Sequence, residues 1–257
     1  VNYTGTDYYQ GNITSFNDKE IHSILDRSGI KKKEFNTNKK ATEWYITDLE
    51  TVKKAIQAAK DGRKSLNASE ISNDNTPIIF RPEQREAIDR TKKQLKKGKR
   101  MLWNAKMRFG KTLSALQVVK EMGFAKTIIL THRPVVNEGW FDDFGKIFYD
   151  SPNYCYSSKT QGESFDSLKK QNAKKFVYFA SMQDLRGSEL VGGKFDKNSD
   201  VFSVEWDLVI VDEAHEGTQT KLGKNVVEEL DKSNTKLLQL SGTPFNILNE
   251  YKDNEIY

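Results

Sequence analysis

A single cysteine, Cys155, in a chain of 257 residues leaves no partner for an internal disulfide. The fold must therefore hold without covalent staples, and a reducing cytoplasm is the expected home. Long apolar runs are missing too. The strongest, Thr127–Leu130 and Leu208–Val211, fall far short of the roughly 20 residues a bilayer-spanning helix needs, which excludes a helical membrane protein. No charged-then-apolar leader pattern opens the sequence as given, and neither an internal repeat nor a long low-complexity tract interrupts it. The first residue is Val1, and the chain stops soon after a turn that normally sits mid-protein, so we expect a fragment of a longer protein.

What is present is a globular composition. Hydrophobic residues at 36% and aromatics at 11% suffice for a buried core and exclude a disordered chain. A net charge of +5 is compatible with a polyanionic partner without establishing one. The length corresponds to about two domains.

Three regions separate by pattern. In residues 1–66, Asp18 to Asp26 reads as a helix with Ile21, Ile24 and Leu25 on one face and Asn17 as its cap. Glu43 to Ile46 reads as a strand, and Thr47 or Asp48 caps a second helix that Gly62 closes. A Ser-, Asn- and Asp-rich run from Lys64 to Pro77 reads as linker, with 67–77 as the boundary stretch. From 78 to 257 the pattern alternates. Short buried strands are expected at Met101–Trp103, Thr127–Leu130, Phe176–Phe179, Leu208–Val211 and Leu237–Leu240. Helices are expected at Pro82–Lys97, Thr112–Glu121, Val135–Ile147 and Lys221–Leu230. Such alternation predicts an α/β fold: a three-layer sandwich with a mainly parallel sheet, preceded by a small α+β segment. In such sheets the working loops lie at the carboxyl ends of the strands.

Ala105-Lys106-Met107-Arg108-Phe109-Gly110-Lys111-Thr112 follows a strand and opens a helix, the context a phosphate-binding loop requires. Backbone N–H groups at the helix start would face the β- and γ-phosphates of ATP, Lys111 would add a point charge, and the Thr112 hydroxyl would reach Mg²⁺. Leu208–Val211 then runs into Asp212-Glu213-Ala214-His215. Two adjacent carboxylates at a strand end suit a metal-holding Asp212 and a water-orienting Glu213. Lys236–Leu240 ends in Ser241-Gly242-Thr243, small hydroxyl residues on a tight turn that can touch both the acidic box and a nucleic-acid strand. Standing alone, that last turn would be unremarkable.

Together these elements resemble superfamily 2 helicases over residues 78–257, which implies a RecA-like ATP-binding lobe whose partner lobe the chain lacks. By that resemblance Arg81 and Gln84 form the adenine-reading motif, with the Gln84 amide offering donor and acceptor. Thr131, Arg133 and Pro134 form a first DNA-backbone motif, and Ser181 and Gln183 a second. His215 and Ser241, Gly242 and Thr243 couple hydrolysis to strand movement. The chain is most similar to type III restriction-enzyme ATPases, which implies DNA, contacted along its backbone and in double-stranded form, as partner, and methylase or nuclease domains as company. Swi/Snf-type translocases are similar at Met107–Thr112 but carry Gly where this chain has Arg108.

The segment Asp18–Gly62 resembles the C-terminal half of a GIY-YIG nuclease domain, matching its late His at His22 and its metal-binding Glu at Glu43. The paired Tyr motif and Arg of that family have no counterpart upstream, since Tyr8-Tyr9 is too close to His22. A helical adaptor packed on the motor stands beside the nuclease reading. The cluster Lys92, Lys93, Lys96, Lys97, Lys99 and Arg100 reads first as a solvated helix face and second as a phosphate contact. The functional expectation is an ATP- and Mg²⁺-dependent motor lobe acting on DNA. Its rivals are a metal-dependent nuclease module and a nucleotide-gated DNA-binding module without turnover.

Overall fold

The structure is a computed structural model that describes residues 5–9, 12–16, 18–34, 40–71, 78–170, 175–195, 197–214 and 221–257. Its strands are β1 (Gly5–Tyr9), β2 (Asn12–Phe16), β3 (Lys32–Glu34), β4 (Lys40–Tyr45), β5 (Arg100–Asn104), β6 (Lys126–Thr131), β7 (Tyr154–Ser157), β8 (Lys175–Ser181), β9 (Leu208–Asp212) and β10 (Lys236–Ser241). The helices are α1 (Asp18–Arg27), α2 (Leu49–Lys60), α3 (Ala68–Ile71), α4 (Pro82–Lys97), α5 (Lys111–Met122), α6 (Asn137–Phe148), α7 (Phe165–Lys170), α8 (Met182–Leu185), α9 (Ser199–Ser203) and α10 (Lys221–Leu230).

Strands β5 to β10 make one parallel sheet in the order β5-β10-β9-β6-β8-β7. Successive side chains of a strand point to opposite faces, and here both faces are covered. Met101, Trp103, Ile129, Leu208, Ile210, Leu238 and Leu240 enter one core with α4, α5 and α6. Their neighbours Leu102, Ile128, Leu130, Val209, Val211 and Leu237 enter the other with α8 and α10. Burial on both sides is why these strands are continuous apolar runs rather than alternating ones. The result is the expected three-layer α/β sandwich. One strand of this sheet escaped the sequence reading, as did β1, β2 and β3 of the N-terminal residues: β7, Tyr154-Cys155-Tyr156-Ser157, sits at the sheet edge and pairs with β8 alone, so it carries no run of aliphatics.

The N-terminal residues form a smaller unit. Helices α1 and α2 bury Ile21, Ile24, Leu25, Ala55, Ala58 and Ala59 against one another with Leu66. Of the two candidate caps for α2, Asp48 holds the place, its Oδ1 accepting from Thr51 N at 2.8 Å. Asn17, the expected cap of α1, lies outside the described residues. Strands β1 and β2, and β3 and β4, are antiparallel hairpins.

The stretch expected as linker is not loose where it is described. Residues Ala68–Ile71 are helical, and Leu66 and Ala68 are buried. The buried carboxylate of Glu163 accepts from Lys64 N at 3.0 Å, Ser65 N at 3.0 Å and Ser167 Oγ at 2.6 Å. A polar composition advertises a loop, but here the backbone donors of that loop hydrogen-bond a buried acid of the large unit. The Arg27 guanidinium makes a second tie, its Nε donating to Gly162 O at 2.7 Å.

Candidate nucleotide-binding site

Register alone gathers the motifs. Across the carboxyl edge of the sheet Asn104 pairs with Ser241, Leu240 with Asp212, Asp212 with Thr131, and Thr131 with Ser181. The ends of five strands thus fall in one row, at the edge where parallel sheets place their working loops.

The loop after β5 leads into α5. Gly110, its N-cap, is left-handed at φ 84°, and a Cβ there would meet Gln84 Nε2 at 2.4 Å. Gly is required at this position. Arg108, where Swi/Snf-type chains carry Gly, also adopts a left-handed φ of 65°. The departure noted in the sequence therefore changes the side chain but keeps the backbone form that glycine favours. Lys106, Met107 and Arg108 are exposed, whereas Phe109 packs edge-on against Trp103 at 6.1 Å between ring centroids. Gln84 is buried and braces this loop: its Nε2 donates to Phe109 O at 2.8 Å, and its Oε1 accepts from Arg81 N at 2.9 Å. The Arg81 guanidinium also donates to Phe109 O, at 2.5 Å. One N–H and one lone pair of the Gln84 amide remain for a ligand edge.

Lys111 Nζ donates to Ala105 O at 3.0 Å and lies 3.9 Å from Glu213 Oε1. The phosphate-loop lysine and the acidic box thus meet around one spot, with Gly242 closing the side: a Cβ on it would stand 3.8 Å from Lys111 Nζ. Glu213 leaves β9 at a left-handed φ of 50°, and its N–H donates to Asp212 Oδ1 at 3.1 Å. Strained non-glycine backbone of this kind concentrates at functional sites. Asp212 Oδ2 accepts from the indole Nε1 of Trp140 at 3.1 Å. Burial raises the Asp212 carboxyl above its ordinary range and the neighbouring Glu213 adds to this, while the Trp140 bond and the Lys111 charge oppose the rise. Trp140 was missed in the sequence, where it is simply an apolar residue on a helix; nothing in its spacing betrays a ligand. Ser241 is fully buried, its Oγ accepting from Thr243 N at 3.2 Å. His215 lies outside the described residues.

A half-buried carboxylate raised chiefly by desolvation, beside a lysine and a helix whose N-cap is left-handed, fits a metal–polyphosphate. Among the described residues no group of three or more His, Cys, Asp or Glu converges to hold a metal unaided. Mg²⁺ takes one or two carboxylates and completes its shell with substrate phosphates and water, a donor set that the Asp212 carboxylate and the Thr112 hydroxyl could begin. Thr112 is half-buried at the first turn of α5.

Thr131 Oγ1 accepts from Arg133 N at 3.1 Å, and Ser181 Oγ accepts from Gln183 N at 3.1 Å, so both hydroxyls shape turns directly after their strands. Pro134 and Ser181 line a groove of about 420 Å³. The basic cluster before β5 is partly spent on pairing: Lys92 with Glu121, Lys99 with Asp231 and Arg100 with Glu255. In the N-terminal unit, the His22 ring stands 5.5 Å from that of Tyr45, whose hydroxyl donates to Asp26 Oδ1 at 2.9 Å. Glu43 falls within β4.

Comparison with known proteins bears on the fold and the family. The family described as "Type III restriction enzyme, res subunit" matches residues 77–246, about two-thirds of the chain. A curated Mycoplasma pneumoniae protein, described as the C-terminus of a putative type II restriction enzyme and methyltransferase, is 34% identical over 140 residues. That match takes in 52% of this chain but only 19% of the relative, so the chain spans about a fifth of its length. Among solved structures, the SWI2/SNF2 ATPase core of Sulfolobus solfataricus in complex with dsDNA superposes with a TM-score of 0.51 at 20% identity, covering 72% of this chain and 36% of that one. The same core without DNA in its description gives 0.50 at 18% identity, covering 70% and 35%. At such identities the likeness speaks for the fold, which is RecA-like.

Proposed function

The chain belongs to the type III restriction enzyme res-subunit family, and on that footing we propose that it is the ATP-hydrolysing lobe of a DNA helicase or translocase within a restriction or phage-defence enzyme. The observation that carries this reading is the meeting of Lys111 Nζ and Glu213 Oε1 at 3.9 Å, at the centre of a row of strand ends. We assign residues 78–257 to this lobe and 1–66 to an adaptor packed on it, with 67–77 between them. The bonds of Arg27 and Glu163 tie the two units together, which supports the packing of this segment on the lobe.

In this assignment the N–H groups of Gly110 to Thr112 and the Lys111 ammonium bind the β- and γ-phosphates. Bound Mg²⁺, held by Asp212 and the Thr112 hydroxyl, would neutralise charge on the transferring phosphoryl group. Glu213 orients a water and accepts its proton as the water attacks the γ-phosphorus and ADP leaves. Arg81 and Gln84 read the adenine edge. Because Gln84 already braces Phe109 O, occupancy of the base site is communicated directly to the phosphate loop. Ser241, Gly242, Thr243 and His215 couple hydrolysis to the DNA side, where Thr131, Arg133, Pro134, Ser181 and Gln183 meet the backbone without reading bases. A second RecA-like lobe supplies an arginine finger, an effect elsewhere worth on the order of 10³–10⁵ in rate.

Phosphate release by the intact protein, measured with and without duplex DNA, tests this. The expected result is DNA-stimulated release that disappears in both Lys111→Ala and Glu213→Gln; stimulation that survives both changes rejects the assignment.

A further inference from the structure

Beyond the Ser241–Thr243 turn the chain passes through two short helical turns, Leu248–Glu250 and Asp253–Glu255, and comes back to β5. It meets the free edge of that strand in parallel register. Ile256 bridges Leu102, Tyr257 N donates to Leu102 O at 2.8 Å, and Asn104 N donates to Tyr257 O at 2.7 Å. Tyr257 therefore stands beside the last residues of β5, just before the phosphate loop. Two basic side chains hold this strap. Arg100 lies 3.4 Å from Glu255 Oε2, donates to Glu250 O and sits 4.7 Å above the Tyr251 ring. Arg90, exposed on α4, donates to Ile256 O at 3.0 Å and sits 5.3 Å above the Tyr257 ring. Asn254 Nδ2 adds a bond to Gln94 Oε1 at 3.0 Å.

Tyr257 touches both ends of the brace between Gln84 and Phe109. Its hydroxyl donates to Glu83 O at 2.8 Å, and so grips the peptide unit from which Gln84 springs. Its ring packs on that of Phe109 with 6.1 Å between centroids, at the margin of the core beneath α4 and α5. One side chain thus sets the helix start that carries the Gln84 amide and the loop residue whose carbonyl that amide holds at 2.8 Å.

We propose that Tyr257 is the positioning residue of the base site, fixing the Gln84 amide so that the protein selects adenine over guanine nucleotides. The inference rests on the motor reading and deepens it by assigning the residue that enforces base choice. Adenine presents an amino donor beside a ring-nitrogen acceptor, which the free N–H and lone pair of Gln84 can meet together. Guanine has a carbonyl oxygen in place of the amino group, and the lone pair would face it. An amide free to turn over would accept either base. Gln84 is kept from turning by Phe109 O on its nitrogen and Arg81 N on its oxygen, and Tyr257 steadies both sides of the first of these bonds.

The test is steady-state hydrolysis of ATP and of GTP by the intact protein with duplex DNA present. Tyr257→Phe removes the bond to Glu83 O and keeps a ring on Phe109. It should raise KM for ATP about two- to tenfold, the worth of one neutral hydrogen bond, and leave kcat and the KM for GTP where they were. The preference for ATP over GTP in kcat/KM then falls by the same factor. Arg90→Ala, a change at an exposed position that frees the strap from α4, should lower the preference too. Asn254→Ala loosens the strap without touching Tyr257 or Glu83 and should leave the preference unchanged. A preference that stays unchanged in either Tyr257→Phe or Arg90→Ala overturns the inference and leaves the motor reading intact. So does an equal fall in Asn254→Ala, which marks a general loosening, and so does an unaltered protein that takes GTP as readily as ATP. A protein that hydrolyses neither nucleotide rejects both.

Discussion

The indole N–H of Trp140 donates to Oδ2 of Asp212 across 3.1 Å. Trp140 belongs to the core beneath α6, at 1% exposure, so a packing residue of that face also fixes the carboxylate assigned to the metal. Hydrogen bonds to charged groups are worth about 1.5–3 kcal/mol. Trp140→Phe keeps an aromatic ring in place but deletes the donor that most opposes the burial of Asp212. ATP turnover should fall about tenfold or more, and the Mg²⁺ concentration for half-maximal rate should rise. A Mg²⁺ titration of phosphate release that superposes on that of the unaltered protein would refute this role.

Two substitutions in the phosphate loop should act in opposite directions. Gly110→Ala forces a side chain into a left-handed backbone at φ 84° and drives its Cβ towards Gln84 Nε2, 2.4 Å away. The backbone term alone is about 1–2 kcal/mol, and the buried Gln84 amide cannot yield without losing its bond to Phe109 O. Arg108→Gly relieves a similar strain at φ 65°. Thermal melts should show a clear loss for Gly110→Ala and no loss, or a gain, for Arg108→Gly.

Acid should weaken the joint between α4 and α5. Glu121 at the end of α5 accepts from Arg85 Nη1 at 2.7 Å and also pairs with Lys92. The Arg85 hydrogen bond, more than any other influence, holds the Glu121 carboxyl down at about 2 against an ordinary 4.5. A carboxyl depressed in the folded state stabilises above its unfolded pKa and loses that contribution as pH falls through the folded one. Glu121→Gln should therefore lower the melting temperature at neutral pH, by the modest amount typical of a partly exposed pair. The difference from the unaltered protein should close as pH falls from about 4.5 towards about 2. A gap that stays constant over that window would contradict it.

Much of this was legible from the sequence because it is local. Pro82–Lys97 and Lys221–Leu230 have the bounds their patterns predict, and all five expected strands of the large sheet are present, each one to three residues longer. A run buried on both faces is a strong signal, and the Gly110-Lys111-Thr112 turn is specified by its own residues. What stayed hidden depends on distant partners. Trp140 reaches Asp212 from 72 positions away, and Arg27 reaches Gly162 from 135. Neither bond leaves a spacing to read. The run from Lys64 reads as linker by composition, yet its N–H groups face Glu163, 99 positions on. Gln84 reads in the sequence as an adenine-contacting amide by resemblance alone; its bracing of Phe109 O comes only with the fold.

The central claim is that the Gly110–Thr112 turn and the Asp212–Glu213 strand end form one Mg²⁺–ATP site, and calorimetric titration of Mg²⁺–ATP into the intact protein tests it most directly. The account predicts that Lys111→Ala abolishes the binding heat, that Asp212→Asn removes its dependence on Mg²⁺, and that Glu213→Gln still binds, since its role is in hydrolysis. Equal, Mg²⁺-dependent binding by all three variants and the unaltered protein would contradict it.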